Sequence, residues 1–434
     1  MKQCLALVLC VLISVNTFAF KNAPQAYLVS STLVKSHTKQ SIAALWKRHH
    51  IPKIALPIKN DVDIYEIIYK APWIDSTTWI NCSGIVFVPK TKGKKPATFM
   101  FGHGTEIRKG RNVSDEDSQQ GICLGMATDG YLALYVDYYG IGKGDGQHLY
   151  QHAWSEGMAF LYMLYAVEEF KKTINIETNE QLFLTGYSQG GHASFAGQKY
   201  IEAAHDPRFK VTATSPMSGA YDMTGEQAKY MFQVYPRPFY LPYLIVSYQT
   251  AYHIWNTDNI YSVFRSPYDT LLQGFFGVVR NKTYDDLDKI MPNIPSEVVR
   301  PELVTQFQTD PNFAFLQRLR ENNLTNWKPE APVQLCFCKG DREVNYKNSI
   351  VAYDSITARG KTDIKLLNLS DHLDHNTCAA FAVLSMKAFF DRYKNHGSNP
   401  KMKDLSPFKK WAVSIVKKKI EKEYIKNHSD HAYM

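Results

Sequence analysis

The chain has 434 residues, 45% apolar, 13% aromatic and 21% charged, a globular composition able to bury a sizeable core. That excludes disordered, collagen-like and disulfide-scaffold classes. Lys and Arg exceed Asp and Glu by nine, but the segment Lys401 to Met434 holds nine Lys against Asp404, Glu421, Glu423 and Asp430, so most of the surplus belongs to a basic tail. The body has no Arg-rich stripe and no zinc-finger spacing, and nucleic acid is not expected as a partner.

The first twenty residues place Lys2 before an apolar run from Leu5 to Val15, followed by small-residue spacing at Thr17 and Ala19. This is the pattern of a secretory signal peptide, cleaved after Ala19 or Phe20. A membrane anchor would need a run of about 18 to 20 apolar residues. The expected location is therefore secreted or periplasmic. Removing the leader takes away Cys4 and Cys10 and leaves Cys82, Cys123, Cys336, Cys338 and Cys378 for an oxidising compartment. An odd count leaves at least one free thiol in the monomer. Cys336 or Cys338 can approach Cys378. His372, His375 and Cys378 beside Cys336-x-Cys338 do not form a standard structural zinc pattern, and neither metal nor cofactor is expected.

Short β-branched and aromatic runs alternate with helical stretches, which predicts an α/β protein with a mostly parallel eight-stranded sheet and helices on both faces. The expected strands are Val62 to Lys70, Thr78 to Pro89, Pro96 to Phe101, Tyr131 to Val136, Gln181 to Leu184, Lys210 to Thr214, Val333 to Phe337 and Asp363 to Leu369. The first two pair antiparallel. Helices are expected over Ser118 to Asp129, Ala153 to Thr173, Gly190 to Ala204, Asn345 to Arg359 and Thr377 to Tyr393. The core then spans 21–222 and 331–400. Residues 223–330 break the rhythm between the sixth and seventh strands, and 19 of the 107 residues from Thr224 to Glu330 are aromatic. An aromatic-rich helical insertion there reads as a cap or lid over a site; the plainer reading is a helical subdomain filling its own core.

The strongest chemical signal is LFLTGYSQGGHAS, where Gly186-Tyr187-Ser188-Gln189-Gly190 matches Gly-x-Ser-x-Gly between a predicted strand and a predicted helix. A β-carbon at Gly186 or Gly190 would collide with neighbouring backbone in so tight a turn. Ser188 is then presented at the head of the helix, where the Gln189 amide can donate to an oxyanion. A serine hydroxyl needs a histidine base, and that base needs a carboxylate to fix its tautomer. Asp341, just after the seventh strand in LCFCKGDREV, is the expected acid, with Glu343 its rival. His375, directly before the last helix in LNLSDHLDHNTCA, is preferred over His372, which would then be a solvent-exposed loop residue. Asp371 and Asp374 fit the ordering role less well. Thr105, at the end of Gly102-His103-Gly104-Thr105, is expected to supply the second oxyanion amide. His103 and His192 read as structural, and VDYYGIGKGDG (Val136 to Gly146) as a structural turn lacking a P-loop ending.

At these residues the sequence resembles the α/β-hydrolase superfamily, and within it the secreted carboxylesterases and secretory lipases. The resemblance runs from about Tyr65 to Tyr393 and is carried by HGT at 103 to 105, the VDYYGIG turn, GYSQGGH at 186 to 192, APVQLCFCKGD at 331 to 341 and DHNTCA from 374. It implies hydrolysis of a small-molecule or lipid ester through an acyl-enzyme, with Ser188, Asp341 and His375 as triad. Val136 stands where the family usually has Pro before Asp-Tyr, and Asn376 where Gly is common. A prolyl-oligopeptidase-like peptidase shares the triad order, but only about 40 mature residues precede the first expected strand, too few for its extra domain. A non-catalytic binding module would be expected to have lost the nucleophile or histidine. The tail, 401–434, gathers Phe408, Trp411, Ile415, Ile420 and Tyr424 near one helical face among lysines. Such a helix can dock on the domain or lie on anionic membrane.

Overall fold

The computed structural model describes residues 22–51, 56–115, 117–276 and 283–394, together with 418, 421, 422, 424 and 425. The leader and most of the tail, including Phe408, Trp411, Ile415 and Ile420, lie outside them.

Among the described residues the sheet has nine strands, not eight. They are β1 (Leu28–His37), β2 (Val62–Pro72), β3 (Trp79–Pro89), β4 (Ala97–Gly102), β5 (Tyr131–Val136), β6 (Leu182–Tyr187), β7 (Val211–Met217), β8 (Val333–Cys338) and β9 (Ile364–Ser370). Their order is β1-β2-β3-β5-β4-β6-β7-β8-β9. β1, β2 and β3 join as antiparallel neighbours and β3 meets β5 antiparallel, whereas every pairing from β5 through β9 is parallel. The unexpected strand, LVSSTLVKSH, is an edge strand with most residues in solvent, so its sequence carries no buried alternation.

The helices are α1 (Lys39–Arg48), α2 (Ser118–Thr128), α3 (Ala153–Thr173), α4 (Gln189–Ala204), α5 (Tyr240–Tyr252), α6 (Tyr268–Leu271), α7 (Tyr284–Asp288), α8 (Pro301–Thr309), α9 (Ala314–Glu321), α10 (Lys347–Ala358) and α11 (His375–Tyr393). Strands β4, β5, β6 and β8 are buried along their whole length, as expected of parallel strands covered on both faces. Alternate residues of β5 divide between two cores. Tyr131, Ala133 and Tyr135 pack with α1, α2 and α11, while Leu132, Leu134 and Val136 pack with α3 and α4.

The insertion between β7 and β8 is helical and carries α5 to α9. Its aromatic residues, among them Phe239, Tyr243, Tyr248, Phe276 and Phe315, form a core of their own, into which Ile107, Tyr150, Ala220 and Val344 enter from the sheet's carboxyl-terminal loops. The insertion is thereby a packed subdomain whose core extends onto those loops. A single disulfide joins Cys338 to Cys378 among the described residues, and Cys82, Cys123 and Cys336 are buried free thiols. Cys336 and Cys338 share a strand face, but Cys338 is nearer the strand end, where α11 begins. From the tail, Tyr424 packs on the core beneath α11, and Ser370 Oγ donates to Glu421.

Candidate active site

Ser188 stands between β6 and α4 with φ 61° and ψ −122°, a backbone region that ordinary residues rarely adopt. The glycines around it are required by contact. A β-carbon on Gly190 would lie 1.9 Å from Gly102 O, and one on Gly186 would lie 2.2 Å from Gly190 O. The turn therefore wedges β6 against the end of β4, and the Ser188 N–H donates to Met217 O at the end of β7 (3.0 Å). Ser188 is only 8% exposed.

The structure brings Asp341 and His375 together. His375 Nδ1 lies 2.7 Å from Asp341 Oδ2, and both side chains are buried. The other carboxylate oxygen, Oδ1, accepts from the Glu343 and Val344 amides, each at 2.9 Å. An acceptor-only carboxylate beside Nδ1 keeps the proton on Nδ1 and leaves Nε2 bare. Tyr187, immediately before Ser188, closes the arrangement: its hydroxyl donates to His375 O at 2.5 Å, and the two rings lie 4.9 Å apart. Burial is the largest influence on the His375 imidazole and pulls its pKa down, but Asp341, then Glu343 and Asp374, together outweigh it and leave the pKa above the usual histidine value.

The rival residues sit elsewhere. His372 is exposed, and its carbonyl oxygen would lie 2.3 Å from a β-carbon on Gly340, so that glycine lets the two loops meet. Glu343 is half-buried under the cap, with Tyr235 OH donating to its carbonyl and Arg237 3.5 Å from its carboxylate. Asp371 pairs with Lys339, and Asp374 caps α11 by accepting from Thr377 N.

Of the two expected oxyanion donors, Gln189 directly follows Ser188, and Thr105 follows Gly104, whose β-carbon position lies 3.8 Å from Tyr187 O. The N–H groups of Gln189 and Thr105 have no acceptor among the described residues, whereas the Gly104 N–H donates to Gln119 Oε1 at 2.6 Å. Thr105 is held through its side chain and carbonyl, with Oγ1 3.2 Å from Tyr150 OH and the carbonyl accepting from Tyr284 OH of the cap. His103 is fully buried beneath this loop, stacked 4.2 Å from Tyr138, whose hydroxyl donates to His103 O. Burial, reinforced by Arg111, holds the His103 pKa well below the ordinary value, so it serves as a neutral prop. The Val136 to Gly146 turn supplies Tyr138 and also Asp137, which accepts from Ser83 Oγ, as befits a structural role.

Beside Ser188 a narrow cavity opens under the cap, walled by Tyr150, Met223, Met231, Tyr235, Tyr240 and Leu244. None of these stands out in the sequence: Tyr235 and Tyr240 belong to an aromatic-rich segment without a motif, and Tyr150 lies before α3. Glu156 was missed as well. The signal was present, since Glu156 is the one acid between Trp154 and Val167 in the apolar stretch of α3, and it is fully buried.

No family model and no curated relative matches the sequence. Solved structures do. A protein from Legionella pneumophila matches with a TM-score of 0.75 at 24% identity over 86% of this chain and 100% of that one. The rice cell wall degrading esterase LipA from Xanthomonas oryzae, in a ligand-bound form, matches with a TM-score of 0.73 at 25% identity over 84% of this chain and 96% of that one. Candida antarctica lipase A in its closed state shares the fold at 14% identity, with a TM-score of 0.62 over 87% of this chain and 83% of that one. The chain has the α/β-hydrolase fold of these esterases and lipases.

Proposed function

We propose that the chain is a secreted serine hydrolase that cleaves carboxylic esters through an acyl-enzyme, with Ser188 as nucleophile, His375 as general base and acid, and Asp341 as its orienting carboxylate. One observation carries this reading: a buried His375 fixed by Asp341 lies against Tyr187, next to a serine held in a strained turn at a helix head. Ser188 Oγ attacks the ester carbonyl carbon and its proton passes to the bare Nε2. The oxyanion accepts from the Gln189 and Thr105 N–H groups, and the imidazolium is stabilised by Asp341. Collapse breaks the bond to the alcohol oxygen, which takes the proton from Nε2. A water molecule activated by the same nitrogen then releases the acid. Secretion is supported by the leader pattern and by the disulfide. Of the tail, the stretch around Glu421 and Tyr424 is read as docking on the domain, as its contacts with Ser370 and the core favour.

The cavity favours small acyl groups. The bulky side chains that wall it, Tyr150, Tyr235 and Tyr240 among them, leave a narrow space beside Ser188. The test is hydrolysis of p-nitrophenyl esters from acetate to palmitate by the mature protein and by Ser188→Ala. The expected result is an optimum between acetate and butyrate that disappears in the variant. An optimum at long chains would contradict the cavity reading, and hydrolysis that survives in Ser188→Ala would contradict the mechanism.

A further inference from the structure

Behind the nucleophile turn lies a second polar cluster that the reaction just described does not use. Glu156 of α3 and His192 of α4 are both completely buried, with Glu156 Oε2 2.6 Å from His192 Nδ1. His192 Nε2 lies 3.1 Å from the carbonyl oxygen of Asn322, at the end of the cap. The other carboxylate oxygen, Oε1, is 2.9 Å from Gln189 Nε2, which also lies 2.8 Å from His148 Nε2. No lysine or arginine pairs with Glu156 among the described residues.

The donors and acceptors can be assigned from the chemistry of the partners. The Asn322 carbonyl only accepts, so His192 Nε2 carries a hydrogen. The Tyr139 carbonyl, 3.1 Å from His148 Nδ1, likewise puts the hydrogen of His148 on Nδ1. His148 Nε2 is then bare and accepts from the Gln189 amide. The second N–H of that amide points at Glu156 Oε1, and reversing the amide would set its oxygen against the carboxylate. With Nε2 of His192 protonated, one further proton must lie between His192 Nδ1 and Glu156 Oε2. The pair therefore holds one proton beyond that of a neutral histidine facing a carboxylate.

We propose that Glu156 is a positioning residue for the oxyanion site: it shares this proton with His192 and clamps the Gln189 side chain, so that the Gln189 backbone N–H stays aimed at the developing oxyanion. Gln189 is the first residue of α4, where no preceding turn of helix restrains it, and Glu156 and His148 are its side chain's two partners. The clamp reaches the reaction through Gln189 alone and touches no substrate. It rests on the ester-hydrolase reading given above.

Two variants separate the roles. In Glu156→Gln the new amide oxygen can accept from Gln189 while its NH2 donates to a neutral His192, so every partner is kept without the extra proton. Glu156→Leu has similar size and removes both bonds. With p-nitrophenyl butyrate, Glu156→Gln is expected to keep kcat within about threefold of wild type. Glu156→Leu is expected to lose roughly 10- to 100-fold in kcat with KM changed less than twofold, the mark of an interaction made in the transition state. Thermal melts confirm which variants are folded, and the Glu156→Gln protein carries the comparison if the leucine variant unfolds: a loss beyond tenfold in folded Glu156→Gln overturns the assignment, as does a folded Glu156→Leu with wild-type kcat. Absence of Ser188-dependent hydrolysis in the wild type would instead sink the underlying reading.

Discussion

The Cys338–Cys378 bond stands three residues before Asp341 and three residues after His375, so one covalent link ties the segments that carry the acid and the base. Replacing both cysteines by alanine opens a loop with a sequence separation of 40 residues. In the chain-entropy description such a loop contributes about 4 kcal/mol at 25 °C. Both sulfurs are also buried, so the substitution removes packing as well. Cys336→Ala, which deletes a buried thiol from the same strand without breaking a bond, supplies the packing control. Urea unfolding followed by circular dichroism is the assay, with the free energy of each variant taken from midpoint and slope. The double variant is expected to lose roughly 2–5 kcal/mol beyond the control. Its kcat on p-nitrophenyl butyrate is expected to fall even in buffer where it remains fully folded, because the spacing of Asp341 and His375 is no longer pinned. A loss within about 1 kcal/mol of the Cys336→Ala control, together with unchanged kcat, would refute the reasoning.

Other consequences are as direct. Neutral His375 is the reactive form, and acidic neighbours hold its pKa above the usual value, so kcat/KM should rise with pH through that raised pKa. Glu343→Gln removes one of those neighbours and should move the acid limb of the profile to lower pH; an unmoved or upward-shifted limb would contradict the electrostatic account. Gly190→Ala places a β-carbon 1.9 Å from Gly102 O and should abolish soluble, active protein, which expression and an esterase assay will show. Met231→Ala enlarges the wall of the cavity under the cap and should shift the p-nitrophenyl ester optimum toward longer chains. An unchanged chain-length profile would place the acyl group elsewhere.

What could be read from the sequence follows from how local each signal is. The Gly186 to Gly190 turn is legible within five residues because its Gly-x-Ser-x-Gly spacing is local, and the structure adds the reason for Gly190, a clash with Gly102 O of β4. Asp341 and His375 were legible as candidates because each directly follows or precedes a predicted element. Glu343 and His372 could be ranked below them only by position, and the structure separates each pair by burial and partners. The edge strand β1 was missed because its exposed, Ser- and Lys-containing sequence has no core-facing period. The choice of Cys338 over Cys336 depends on where α11 meets the end of β8, a packing fact. The Glu156–His192 pair joins helices 36 residues apart, and only the isolation of one acid in an apolar helix hinted at it.

The central claim is that Ser188 is a nucleophile activated by His375. Labelling with a fluorophosphonate ester, read by intact mass and peptide mapping, tests it most directly, since phosphorus attack by the serine oxygen expels fluoride and leaves a stable adduct on that residue. The account predicts one adduct per chain, on Ser188, absent in Ser188→Ala and formed at least roughly 100-fold more slowly in His375→Gln. An adduct on another residue, or labelling of His375→Gln at the wild-type rate, would contradict it.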